Sequence, residues 1–263
     1  MSLKLFEHPL SPYARKVKIV LYEKGIAFER AIITPLTLRE SDPAFAEFAA
    51  ASPRLEVPCL VDGGFRCFDS TIIVDYIDEK WPQPPMLSSK LEERARARMV
   101  EELSDTIIEA INWGMMEVRF FKRAEGAQAE RMIEHARAEL ARTWDWLERD
   151  LGEGAWFSGP RFGRADAALI VHVVAAGLFG LGLNERHERL NAWRARCLAI
   201  EGVQRDQADL AAFMGGDGMR SMRTGPIKRQ YRDHRLEWML KSGGIEIILR
   251  GLDKDSIHFS SFP

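Results

Sequence analysis

The run Trp81-Pro82-Gln83-Pro84-Pro85 constrains this chain more than any other feature. Three prolines in four positions cannot continue a helix, so the run reads as a linker between two parts of different periodicity. Before it, strand and helix signals alternate. Leu3-Lys4-Leu5-Phe6 alternates apolar and polar residues, and His8-Pro9-Leu10-Ser11-Pro12 breaks that pattern. Ser11 followed by Pro12 is a helix start, a hydroxyl cap with proline at the first helical position. Tyr13, Val17, Val20 and Leu21 then recur at helical spacing until Gly25. A second strand is predicted over 27–33 and a short helix over 41–50. Two strands, 58–61 and 65–68, flank the hairpin turn Asp62-Gly63-Gly64. Asp69-Ser70-Thr71 caps a helix that carries Ile72, Ile73, Tyr76 and Ile77. The predicted order is strand, helix, strand, helix, strand, strand, helix.

Beyond the linker the pattern is helical almost throughout. Long helices are predicted over 88–121 and 127–151, a buried one from Asp166, then 185–199 and 206–213. The organisation is therefore an α/β domain over 1–81, a linker over 82–88, an all-α domain over 89–215, and an extension over 216–263. The extension holds nine Lys/Arg against six Asp/Glu, a net of +3, and a strand-like Ile245-Glu246-Ile247-Ile248-Leu249. It is too apolar to stay disordered and is expected to pack on the body or on a partner.

Composition removes several classes. The formal net charge is -2 over 263 residues, so no global field attracts nucleic acid or an anionic membrane. Three cysteines (Cys59, Cys67, Cys197) form no C-x-x-C pair and no disulfide framework, and read as buried thiols of a reducing compartment. The start lacks a secretory apolar core. The most apolar stretch, 167–182, would rise about 24 Å as a helix, short of a hydrocarbon core of about 30 Å. The expected setting is cytoplasmic, with no nucleic-acid or membrane partner and no metal.

Three positions carry candidate chemistry, each with a plain structural alternative. Ser11 sits where a helix N-terminus favours an anion, and its hydroxyl either donates to that anion or only caps the helix. Val57-Pro58 opens a strand; a cis bond there leaves the Val57 backbone able to pair with an extended peptide ligand, whereas a trans bond makes an ordinary strand start. Asp69-Ser70 is either a helix cap or a site for an amino-acid head group.

Taken together, HPLSPYARKV, the Val57-Pro58 step and FDSTIIVDYIDEKWP resemble the cytosolic glutathione transferases: a thioredoxin-like domain, then a proline linker and an all-helical domain. The resemblance spans about 3–213 and leaves the extension outside. RFGRADAALIV similarly resembles the family's capping element at the buried helix, with Asp166 matching but Gly163 where Ser or Thr is usual. The resemblance implies that glutathione is the cosubstrate and Ser11 the catalytic hydroxyl. It implies that Val57 and Pro58 hold the cysteinyl unit and that Asp69 and Ser70 hold the γ-glutamyl group. It also implies a homodimer. Glu56 stands where a lysine is common, and Arg39 or Arg54 is assigned as the replacement cation.

A serine in this place cannot form a mixed disulfide, which disfavours an omega-like thioltransferase. The bound thiolate would attack a small hydrophobic electrophile by substitution, addition or peroxide reduction. Leu10, Tyr13, Met115, Met116, Phe120 and Phe121 are candidates for its pocket, although Met and Phe at helical spacing also build cores. Tyr13 offers an alternative hydroxyl, one turn into the helix. The basic segment 228–241 is either a solvated face or a cover that narrows substrate choice, loosely similar to omega-like and lignin-ether-cleaving relatives with C-terminal extensions. The rival reading is a non-catalytic interaction module on the same fold.

Overall fold

A computed structural model describes residues 3–33, 43–216, 229–230 and 233–258. The chain forms two compact units, one built from the residues up to Met86 with the helix Glu201–Gly215, the other from 87–198 with the helices of the extension.

The first unit is a four-stranded mixed sheet with helices. Its elements are β1 (Leu3–Glu7), α1 (Pro12–Glu23), β2 (Glu29–Ile32), α2 (Phe45–Ala51), β3 (Cys59–Asp62), β4 (Phe65–Phe68) and α3 (Ser70–Lys80). The strand order is β2-β1-β3-β4, with β1–β2 parallel and the other pairs antiparallel. Alternation along β1 divides two layers. Leu3 and Leu5 are buried on one side, while Phe6 joins Ile33, Phe48, Ala51 and Cys59 in a cluster on the other. α1 packs against α3, whose Ile73, Val74 and Ile77 are fully buried. The linker is held to this unit: Lys24 Nζ donates to the carbonyls of Trp81 and Pro84, each at 2.7 Å, and pairs with Asp78.

A helix from later in the chain, α9 (Glu201–Gly215), also packs on α1. Their contact contains a buried ion cluster. Arg15 donates twice to Asp206 Oδ2, at 2.9 and 2.7 Å, while Lys18 Nζ lies 3.3 Å from Asp206 and 3.0 Å from Asp209. Arg30 bridges Glu7 and Asp209 at 2.6 and 2.7 Å. Lys18, Glu7 and Asp206 have no exposed surface. Three cations thus meet three carboxylates, and the summed charge is zero, which makes burial tolerable. Glu23 accepts from the Gly202 N–H at 2.7 Å and so caps α9.

The second unit is helical. α4 (Leu91–Leu103) and α5 (Glu109–Met115) belong to one long run interrupted by π segments at Ser104–Ile108 and Met116–Phe120. The run expected over 88–121 is therefore present but underwound at two places, and all seven residues of α5 are buried. α6 (Gly126–Leu151), α7 (Arg164–Leu178) and α8 (Glu188–Leu198) complete the bundle. α7 is apolar on nearly every side and packs on α4, with a buried Arg164–Glu101 pair between them. It ends four residues before the expected 182. Gly180 takes φ 73°, its N–H reaches the Gly177 carbonyl, and the Leu181 N–H reaches back to the Ala176 carbonyl at 2.9 Å. Those two bonds close the helix in a Schellman motif.

The start of α7 explains the departure at Gly163. Asp166 accepts from the N–H groups of Phe157, Ser158 and Gly163 and from the Trp193 indole, all within 3.2 Å. The acceptor that a Ser or Thr at 163 would supply comes instead from Ser158, whose Oγ accepts the Ala165 N–H at 3.1 Å. Burial pushes the Asp166 carboxyl up against the downward pull of these donors.

The extension forms α10 (Asp233–Lys241) and α11 (Ile245–Asp253). The strand-like reading of 245–249 is corrected: the segment is helical. Ile245, Ile248, Leu249 and Leu252 fall at i, i+3, i+4 and i+7, a helical spacing that outweighs the β-branched run. α10 packs on α5. Arg235, expected within a basic face, is buried and paired with Glu109, while Lys241 pairs with Glu139 at 2.7 Å. Lys228 lies outside the described residues. Trp238 packs against Gly114, where an added Cβ would sit 2.1 Å from the indole Cζ3, and its N–H donates to Glu139 at 2.5 Å. Gly114→Ala is therefore expected to displace α10 and to cost about 1–3 kcal/mol. Limited proteolysis should show early cleavage within 233–253, and resistance equal to wild type would refute this docking. Among the described residues no helix is long and apolar enough to cross a membrane.

Candidate functional site

The sheet register decides what lies together in the first unit. Phe6 pairs with Cys59, and Cys59 with Phe68. The His8–Ser11 turn that follows β1, the Val57-Pro58 step that precedes β3 and the Asp69-Ser70 pair that follows β4 therefore emerge from one end of the sheet. The three positions come from segments up to 62 residues apart in sequence, brought to one edge by strand pairing.

Ser11 is the N-cap of α1. Its Oγ accepts the Ala14 N–H at 3.3 Å, and its own N–H donates to the His8 carbonyl at 2.8 Å. Because the oxygen accepts the helix N–H, the hydroxyl proton is still available to donate outward. Capping and anion binding are compatible here. No acidic residue occupies the first turn of α1, so the N-terminal dipole acts unopposed by its own helix.

Asp69 caps α3 in a left-handed conformation, φ 74°, with Oδ1 accepting from Thr71 and Ile72. Oδ2 takes no part in either bond. Asp69 is exposed and Ser70 is buried beside it. Lys16, fully buried, donates to Thr71 Oγ1 at 3.3 Å and so ties α1 to the start of α3. The Val57–Pro58 peptide is cis. The preceding turn is held by Ser52, whose Oγ donates to the Glu56 carbonyl and accepts the Glu56 N–H. Arg54 pairs with Glu56 at 3.3 Å, so the carboxylate standing where a lysine was expected has a cation beside it. Arg39 lies outside the described residues.

Of the pocket candidates, Leu10 and Tyr13 are half-buried at the start of α1. In the helical unit Met115 is fully buried, whereas Met116, Phe120 and Phe121 are half-buried, with the two Phe rings edge-on at 4.8 Å. Cys59 has no exposed surface and burial pushes its thiol far up, which removes it as a nucleophile.

The residue that sequence reasoning missed is His8. It is buried, its Nδ1 accepts the Leu10 N–H at 3.2 Å, and its ring meets Phe213 edge-on at 5.0 Å. It thus sets the turn that presents Ser11. Its position directly before Pro9, at the end of a buried strand, was the available signal. Burial lowers its pKa from 6.5 to about 4. The unfolded chain then binds a proton below pH 6.5 that the folded chain refuses. This contribution to stability is full above pH 6.5 and falls by about 1.4 kcal/mol per pH unit down to about pH 4. Urea unfolding across that window should show this slope and His8→Leu should flatten it. An unchanged slope would rule out His8 as the titrating group.

A thioredoxin-like α/β unit with α1 and α3 starting at one sheet end, and a separate helical unit, make up a two-part α/β-plus-α class of fold. The comparisons agree with that class. Residues 5–85 match the glutathione S-transferase N-terminal domain and residues 125–196 the C-terminal domain. The chain belongs to the glutathione S-transferase family. It is 36% identical over 153 residues to the GST-like protein YibF of Escherichia coli, covering 58% of this chain and 71% of that one. It is 29% identical to a stringent starvation protein A homolog of Haemophilus ducreyi, over 52% of this chain and 59% of that one. A glutathione S-transferase of Methylobacterium radiotolerans, solved in complex with glutathione sulfonate, superposes with TM-score 0.60 at 26% identity, covering 78% and 94% of the two chains.

Proposed function

We propose that this protein is a glutathione transferase in which Ser11 stabilises the glutathione thiolate for attack on a small hydrophobic electrophile. The observation that carries the reading is the shared sheet end: a hydroxyl at one helix N-terminus, the Val57-Pro58 step and an acid–serine pair at a second helix N-terminus. Val57 would pair through its backbone with the cysteinyl unit, beside Pro58. Ser70 and the α3 amides would take the γ-glutamyl carboxylate, and Asp69 Oδ2 its ammonium group. Arg54, or Arg39, would face the glycine carboxylate. Leu10, Tyr13, Met115, Met116 and Phe120 are the candidates to meet the electrophile. The family reading also carries a cytoplasmic homodimer.

The serine, which forms no mixed disulfide, argues for substitution or addition over thiol exchange. One relative carries the name of a stringent starvation protein, so a binding module without turnover is the second reading. Glutathione titration by calorimetry, followed by the ultraviolet difference spectrum of its thiol across pH, separates them. Binding with a thiol ionised well below its free value supports the transferase, whereas binding with an unshifted thiol, or no binding, overturns it and leaves the module.

A further inference from the structure

The helical unit has a second concave site, built by α6, α7 and α8, that none of the assignments above uses. It encloses about 730 Å³, within the range of small-molecule sites. Its floor is apolar. Trp144 and Leu181 are buried there, joined by the indole N–H donating to the Leu181 carbonyl at 3.1 Å, and Val173 lies beside them. The end of α7 leaves room, since a Cβ at Gly177 would meet nothing within 4 Å. The rim carries Arg137 from α6 and Arg194 from α8, both exposed. No Asp or Glu lines the cleft. Among the described residues neither arginine is ion-paired, whereas Arg96, Arg164 and Arg189 of the same unit each hold a carboxylate.

Two unpaired guanidinium groups above an apolar floor select an anion with an apolar body. Guanidinium forks match carboxylate oxygens in pairs and also stack on aromatic faces. A cationic ligand would find no carboxylate to pair with, and a neutral one would forgo the charge-assisted bond that the two guanidinium groups offer. We propose that this cleft binds a small amphipathic carboxylate, with its acid group on Arg137 and Arg194 and its aromatic or short aliphatic body against the accessible Val174, Leu178 and Leu183, which line the cleft together with the buried Trp144, Val173 and Leu181. The assignment is independent of Ser11 and of glutathione.

Calorimetric titration with 2-naphthoate, set against the neutral 2-naphthalenemethanol, tests it. Wild type is expected to bind the acid at a single site about tenfold or more tightly than the alcohol, a preference that weakens as salt is raised. The double variant Arg137→Glu, Arg194→Glu should remove that preference and leave binding of the alcohol unchanged. Gly177→Leu fills the cleft and should abolish binding of both. Failure of naphthoate to bind, equal affinity for acid and alcohol, or binding that survives the arginine pair would each overturn the proposal. Should Gly177→Leu lower the thermal midpoint, the arginine pair decides alone, because exposed unpaired side chains contribute little to folding.

Discussion

Ser11→Ala is expected to raise the pKa of the bound glutathione thiol by about 1–2 units and to slow turnover near neutral pH by about one to two orders of magnitude. A free thiol near pKa 8.5 is mostly protonated at pH 7. Lowering it by two units needs about 2.7 kcal/mol of preferential thiolate stabilisation. One hydrogen bond to a charged group contributes about 1.5–3 kcal/mol, and a helix N-terminus about 0.3–1. The hydroxyl is thus the larger share, and the residual activity of the alanine variant reports the helix end. Loss of the cap at Ala14 would itself cost about 1 kcal/mol of stability, so rates belong alongside an unfolding curve. Ser11→Thr keeps the hydroxyl and should retain most of the shift. An alanine variant whose bound thiol keeps the wild-type pKa and whose turnover is full would remove Ser11 from the mechanism and leave Tyr13 as the next hydroxyl to test.

The largest expected loss of stability is at Asp206. Its carboxylate receives Arg15 and Lys18, and all three side chains are buried. Asp206→Ala would leave two buried cations short of a partner, at a cost of about 3–5 kcal/mol. Against a typical stability of about 5–15 kcal/mol, that is a large part of the whole. Replacing Asp206 together with Arg15, its doubly bonded partner, by apolar residues of similar volume removes the uncompensated charge and leaves Lys18 its contact with Asp209, so Arg15→Met with Asp206→Leu should cost less than the sum of the single changes. Urea unfolding measures both. A single variant within about 1 kcal/mol of wild type would mean that the α1–α9 contact does not depend on these charges.

Much of the first unit was readable in the chain. The Ser11-Pro12 start, the Gly25 stop and the Asp62-Gly63-Gly64 turn are local signals, and each marks the structural boundary it implied. The candidate site residues were readable as caps, because a cap depends on two or three neighbouring residues. Their convergence was not, since it follows from Phe6, Cys59 and Phe68 standing side by side across three strands. His8 escaped notice because its role comes from burial and from Phe213, which is distant in sequence.

In the second unit, helical periodicity indicated the elements, and tertiary contacts decided how they end and pack. Gly163 looked like a lost cap until the fold placed Ser158 against the same N–H. The 245–249 segment read as a strand because isoleucine favours strands locally, but as a helix it buries Ile247 and Ile248. The sequence by itself determined the order of elements up to the linker and the residue types of the candidate site. Only tertiary structure decided that α9 packs on α1 through Asp206 and Arg15, 191 residues apart, and that Trp238 rests on Gly114. Periodicity records which face of an element is apolar. It does not record which distant charge or ring that face will meet.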